Sequence, residues 1–179
     1  MVRRGIVSIL EANKQLLLIP IRQKAKFEGW LKFELAHYLT QNGVADLGVE
    51  SKREYNRSRT DLSFFWGGEP YGIELKTPNT NWQIGGVSSN GRPITKNIQS
   101  IVDDAMKLNS ENGIVAFVLF PVPLLDRRWE AYLGRINEQT QLGISRNGNC
   151  ELVEVNLDDH NACNLVVCTF RSRRFRNWT

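Results

Sequence analysis

Two short apolar segments joined by a glycine-rich turn constrain this chain more than any other feature. Asp61–Trp66 and Tyr71–Thr77 both alternate in strand fashion, and Gly67-Gly68-Glu69-Pro70 lies between them. That pattern predicts a β-hairpin. With the turn centred on Gly68-Glu69, Leu62 pairs with Leu75, Phe64 with Ile73 and Trp66 with Tyr71. All six side chains then share one apolar face. On the other face Asp61 opposes Lys76 and Ser63 opposes Glu74. A one-residue slip would scramble both faces. The hairpin therefore predicts one greasy side and one side gathering two carboxylates and a lysine.

The flanking segments predict an α/β domain. A helix is expected over Ile6–Leu18, ended by Pro20, and a second over Lys24–Gln41, stopped by Asn42-Gly43. Val44–Tyr55 reads as a strand. After the hairpin, residues 79–96 are rich in Asn, Gly, Ser and Thr and show no period. A loop of that length is usually functional or disordered. A third helix is expected over Lys96–Leu108. Ile114–Phe120 is continuously apolar, as in a strand buried on both faces. Strand, helix, strand predicts that Ile114–Phe120 runs parallel to Tyr71–Thr77. A fourth helix (Arg127–Glu138) and two strands (Glu151–Leu157, Asn164–Phe170) complete a single domain spanning residues 1–179.

Composition removes several function classes. The three cysteines, Cys150, Cys163 and Cys168, lack Cys-x-x-Cys spacing, and the two histidines, His37 and His160, are scattered. No zinc site is expected. Phosphate-binding loops of the Walker and Rossmann types are missing from the sequence. No apolar run reaches the ~20 residues that span a bilayer, and no signal-peptide pattern opens the chain. A cytoplasmic location is the expectation. The net charge of +4 permits a nucleic-acid partner without demanding one. The tail concentrates positive charge: Arg171, Arg173, Arg174 and Arg176 sit among nine residues without an acid, with Phe175 and Trp178 interleaved. Phosphate contact with base stacking is one reading. A solvated terminus is the other, and so is a tail that packs over the last strand.

The hairpin's polar face carries the chemistry. Two carboxylates at that separation can share a hard divalent cation, and a lysine beside them can balance charge on a phosphorane-like transition state. Ordinary surface ion pairs are the plainer alternative. Glu-x-Lys alone is weak: twelve glutamates and eight lysines in 179 residues produce about half an occurrence by chance, and Glu50-Ser51-Lys52 is a second copy. The copy at Glu74-Leu75-Lys76 differs in having the hairpin, the opposed Asp61 and the strand–helix–strand unit that follows.

The order helix, strand, strand with Asp61, strand with Glu74-Leu75-Lys76, helix, strand resembles the core of the PD-(D/E)XK nuclease superfamily over about residues 24–122. Thr60 stands where that family often has proline. The resemblance implies a restriction-endonuclease-like core (αβββαβ), a central mixed sheet flanked by helices. It also implies a metal-dependent endonuclease hydrolysing phosphodiester bonds, with DNA as the expected substrate. Asp61, Glu74, the carbonyl of Leu75 and a helix carboxylate would hold Mg²⁺, or Mn²⁺ in its place. Glu28 matches the helix position best and Glu34 second. Lys76 would stabilise charge or orient water, and Gln99 matches an auxiliary position on the following helix. Glu28 could equally pair with Lys32 four residues on, and Gln99 could simply face solvent. Grip on the phosphate backbone would come from Arg57, Arg59, Arg92, Lys96 and the arginine tail. Trp82 is a base-contacting or a loop-packing residue. Cutting both strands would call for a homodimer. The competing expectation is a non-catalytic nucleic-acid-binding or assembly module on the same fold. Neither Asp61 nor Glu74 belongs to the apolar face, so replacing either is predicted to leave the fold intact.

Overall fold

A computed structural model describes residues 1–50, 59–89, 93–108 and 112–172. Arg57, Arg92, Arg173, Arg174, Arg176, Phe175 and Trp178 lie outside the described residues, as does the end of the expected first strand.

Six strands form one mixed open sheet in the order β1-β2-β3-β4-β6-β5. They are β1 (Ala45–Val49), β2 (Leu62–Trp66), β3 (Glu69–Lys76), β4 (Gly113–Pro123), β5 (Cys150–Asn156) and β6 (Ala162–Arg171). The helices are α1 (Val2–Ala12), α2 (Lys14–Gln23), α3 (Glu28–Gln41), α4 (Ile94–Lys107), α5 (Glu130–Thr140) and the short α6 (Arg146–Asn149). β3 and β4 are parallel, joined by the crossover through α4. The other pairs are antiparallel.

Alternation along β4 assigns the two faces. Ala116, Val118 and Phe120 enter the core formed with α1, α2 and α3, while Val115, Phe117 and Leu119 enter the core under α4 and α5. A strand buried on both sides must be apolar at every position, which is why Ile114–Phe120 reads as one unbroken run.

The hairpin register is two residues away from expectation. Leu62 pairs with Ile73, Ser63 with Gly72, Phe64 with Tyr71 and Trp66 with Glu69. The turn is Gly67-Gly68, with φ of +61° and +85°, the geometry a two-residue hairpin turn demands. A slip of two keeps every side chain on its face, because the strand period is two. Leu62, Phe64, Ile73 and Leu75 are fully buried in the first core. Trp66, expected on the same apolar face, stays half exposed and rests edge-on against Tyr71. Glu74 remains on the opposite face.

Other boundaries moved as well. Pro20 lies inside α2 rather than ending a helix. The break falls at Asn13 instead, and buried Leu17 and Ile21 hold α2 across the hydrogen bond that Pro20 cannot make. The 79–96 segment is anchored at its start, where Asn79 and Thr80 are buried. Asn97 donates to the backbone and side-chain oxygens of Asn79, and Asn79 donates to the Lys24 carbonyl at 2.7 Å.

α3 carries part of the candidate site, and Gly5 sets how closely α1 approaches it. A Cβ at Gly5 would lie 2.6 Å from the Tyr38 ring. Gly5→Ala is expected to cost about 1–3 kcal/mol through overpacking, measured as a lowered urea midpoint with an unchanged slope.

Candidate metal and catalytic site

Charged side chains from the segments just after β1 and just before β2 meet those of β3, α3 and α4 beside the carboxyl end of β3. Asp61 immediately precedes β2, and continuing the ladder by one step sets it across from Glu74. Asp61 Oδ2 accepts a hydrogen bond from the Leu75 amide at 2.8 Å. Its Oδ1 lies 2.8 Å from the ammonium of Lys32, which also meets Glu50 Oε1 at 2.7 Å. Lys32 is therefore turned away from the helical pairing with Glu28. Glu28 instead faces Lys76 at 3.9 Å. Lys76 also pairs with Asp104 on α4 at 3.1 Å, and Lys107, one turn further on, lies 3.8 Å from Glu74.

Five carboxylates (Glu28, Glu50, Asp61, Glu74, Asp104) thus face Lys32, Lys76, Lys107 and Arg59. Among the described residues the carboxylate repulsion falls most heavily on Glu74. Burial, followed by the charges of Asp61 and Asp104, pushes its pKa to about 7, against the opposing pull of Lys107 and Lys76. Burial also raises the Glu28 carboxyl, with Lys76 opposing. Burial draws the Lys76 ammonium down, but Glu28 and Asp104 outweigh it and leave its pKa raised. Lys76 therefore stays charged and is poorly suited to act as a base.

The donor chemistry fits a hard cation. Asp61, Glu74 and Glu28 offer carboxylate oxygens, and the buried Glu74 carboxylate has its nearest salt-bridging nitrogen 3.8 Å away. Among the described residues no group of three acidic, histidine or cysteine side chains is already arranged as a ligand set. Both oxygens of Asp61 are engaged by protein donors.

The remaining candidates divide. Gln99 sits on the exposed side of α4 and bonds to Asp103 at 2.9 Å; none of its hydrogen bonds reaches the cluster. Glu34 is on α3, and none of the ion pairs among the described residues includes it. Trp82 packs against Tyr132 at 5.8 Å between ring centres, with the Arg128 guanidinium over it, so it is held by α5 rather than standing free. Arg59 is exposed and bound to Glu50 through both its side chain and the Glu50 carbonyl. Lys96 is exposed in the first turn of α4. Arg171 ends β6 on a cleft of ≈ 690 Å³ shared with Arg3, Arg4, Trp66 and Tyr71, which none of the clustered carboxylates lines.

Asp104 and Lys107 were not legible as site residues. The available signal was helical spacing: Asn97, Ile101 and Asp104 follow one another at i, i+4 and i+7, which puts an acid beside the buried stripe of α4. Glu50 was visible only as part of a second Glu-x-Lys, and its partner Lys32 only as a helical neighbour of Glu28.

No helix among the described residues is long and apolar enough to cross a membrane. No protein-family model, curated protein or solved structure matches this chain.

Proposed function

We propose that the protein is a metal-dependent endonuclease hydrolysing phosphodiester bonds, with DNA as its first-choice substrate, on a restriction-endonuclease-like fold. The observation that carries this reading is the cluster at the end of β3. Asp61, Glu74 and Glu28 all feel the Lys76 charge there, and Asp61 and Asp104 push the buried Glu74 carboxyl up. The element order α3, β1, β2, β3, α4, β4 supports it.

Asp61, Glu74, the Leu75 carbonyl and Glu28 would hold Mg²⁺, with Mn²⁺ as a substitute. The cation would supply a lowered pKa for bound water and neutralise the scissile phosphate. The protein's own share of the chemistry rests on Lys76. Its ammonium, held charged between Glu28 and Asp104, stabilises charge that develops on the phosphoryl oxygens. Lys107 is exposed at the rim and is available to a phosphate without breaking a close pair. Arg59, Lys96 and Arg171 would add backbone contacts, Arg59 only after leaving Glu50. Two copies would serve the two strands of a duplex.

The test is incubation of purified protein with duplex, branched and single-stranded DNA and RNA, in Mg²⁺ or chelator. Metal-dependent cleavage of any of these supports the proposal, and a DNA substrate cut in preference supports its finer part. A second reading, a non-catalytic nucleic-acid-binding or assembly module, is favoured by one observation: each oxygen of Asp61 already has a protein partner, Lys32 or the Leu75 amide. Binding without cleavage across the whole panel would select it.

Within the nuclease reading, Lys76→Met is expected to lower the cleavage rate about 10²–10³-fold. Gln99→Ala should stay within about twofold of wild type, since among the described residues Gln99 bonds to Asp103 alone, on an exposed surface. Single-turnover rates at saturating metal separate the two.

A further inference from the structure

We propose that Lys32, shared between Asp61 and Glu50, gives up Asp61 and stays on Glu50 when a divalent metal binds; the inference rests on reading the cluster as a metal site. Lys32 occupies an unusual place for a lysine. Its side chain is only 7 % exposed, and its ammonium sits between two carboxylates at nearly equal distances, 2.7 Å to Glu50 and 2.8 Å to Asp61. Those two acids differ in setting. Asp61 is largely buried and offers the metal its carboxylate, whereas Glu50 is half exposed and lies at the rim.

The backbone keeps the pair in register. The Glu50 amide donates to the Asp61 carbonyl at 2.9 Å, so the two acids are neighbours across the β1–β2 ladder. Glu50 itself has φ of +49°, a conformation that costs a non-glycine residue free energy. That conformation accompanies a carboxylate which reaches Lys32 with one oxygen and Arg59 with the other. Lys32 thus has a partner to keep when Asp61 is taken from it. A metal at Asp61 must displace or repel a unit positive charge in direct contact with its own ligand, and such repulsion is strong in a partly dry site. The ammonium therefore holds the metal-free site together and weakens metal affinity. Glu50 softens that penalty by retaining the lysine.

The experiment is direct titration of the full chain with Mn²⁺, read by calorimetry and by the loss of the free-ion paramagnetic resonance signal. Neither readout depends on activity. Lys32→Met is expected to bind Mn²⁺ at least about tenfold more tightly than wild type. Glu50→Gln is expected to bind more weakly, and this loss should largely vanish in the Lys32→Met background, because without the lysine nothing needs to be retained. Thermal melting checks that each variant is folded, and Lys32→Gln provides a second neutral replacement should Lys32→Met fail that check. Unchanged or weaker binding by the neutral variants, with Asp61→Asn still weakening it, overturns the role of Lys32 and leaves the metal site standing. Absence of binding in wild type and in every variant overturns both. A Glu50→Gln loss that persists in the Lys32→Met background rejects Glu50 as the retaining group.

Discussion

Glu74→Gln is expected to abolish metal-dependent cleavage and, at the same time, to stabilise the fold above pH 7. The two effects have one cause. Glu74 is buried, and Asp61 and Asp104 oppose its charge, so its carboxyl titrates near 7 in the fold against 4.5 as the ordinary value. Between those values the folded chain binds a proton that the unfolded chain has released. The contribution to stability is fully present below about pH 4.5 and is lost as pH rises through 7. Above that, the wild-type fold carries the full cost of a poorly compensated buried charge. A neutral amide of the same shape escapes it, by about 1–2 kcal/mol at pH 8 once solvent screening is allowed for. Urea unfolding at pH 5 and pH 8 in the presence of chelator checks this. The variant should gain on the wild type only at the higher pH. An equal difference at both pH values would mean that Glu74 is not the strained group.

Asp61→Ala is expected to destabilise the protein by about 2–4 kcal/mol as well as to end cleavage. This reverses what the hairpin alone predicts, since Asp61 lies off the apolar face. The reason is tertiary. Asp61 Oδ2 satisfies the Leu75 amide, and Oδ1 pairs with the buried ammonium of Lys32. Removing the carboxylate leaves a sheet amide without its acceptor and a largely buried lysine whose remaining partner among the described residues is Glu50. Asp61→Asn keeps an oxygen for the amide and should cost less, about 1–2 kcal/mol, while remaining inactive. The ordering of the two variants in denaturant midpoint is the measurement. Alanine as stable as wild type would remove Asp61 from the structural role assigned to it.

What the sequence determined by itself were the properties that repeat locally. Alternation with a period of two settled that Leu62, Phe64, Ile73 and Leu75 face one way and Glu74 the other. That survived a two-residue register change because the change preserved parity. The unbroken apolar run of β4 announced a strand buried on both faces, and the crossover rule made it parallel to β3. The glycine pair at 67 and 68 carried the turn, yet not its centre, because Glu69-Pro70 offers competing turn chemistry that only strand pairing excludes. Pro20 misled in the same way: a local rule stops the helix there, and burial of Leu17 and Ile21 overrides it. The charges around β3 were decided by tertiary structure alone. Lys32, Asp104 and Lys107 come from helices whose sequence periods say which side is buried but not which strand residue stands opposite. Their pairing with Asp61, Lys76 and Glu74 is set by how α3 and α4 dock on the two faces of the sheet. Whether a carboxylate there is free to take a metal, or is already held by a lysine, depends on distances of a few ångströms between segments far apart in the chain, and no local pattern encodes those.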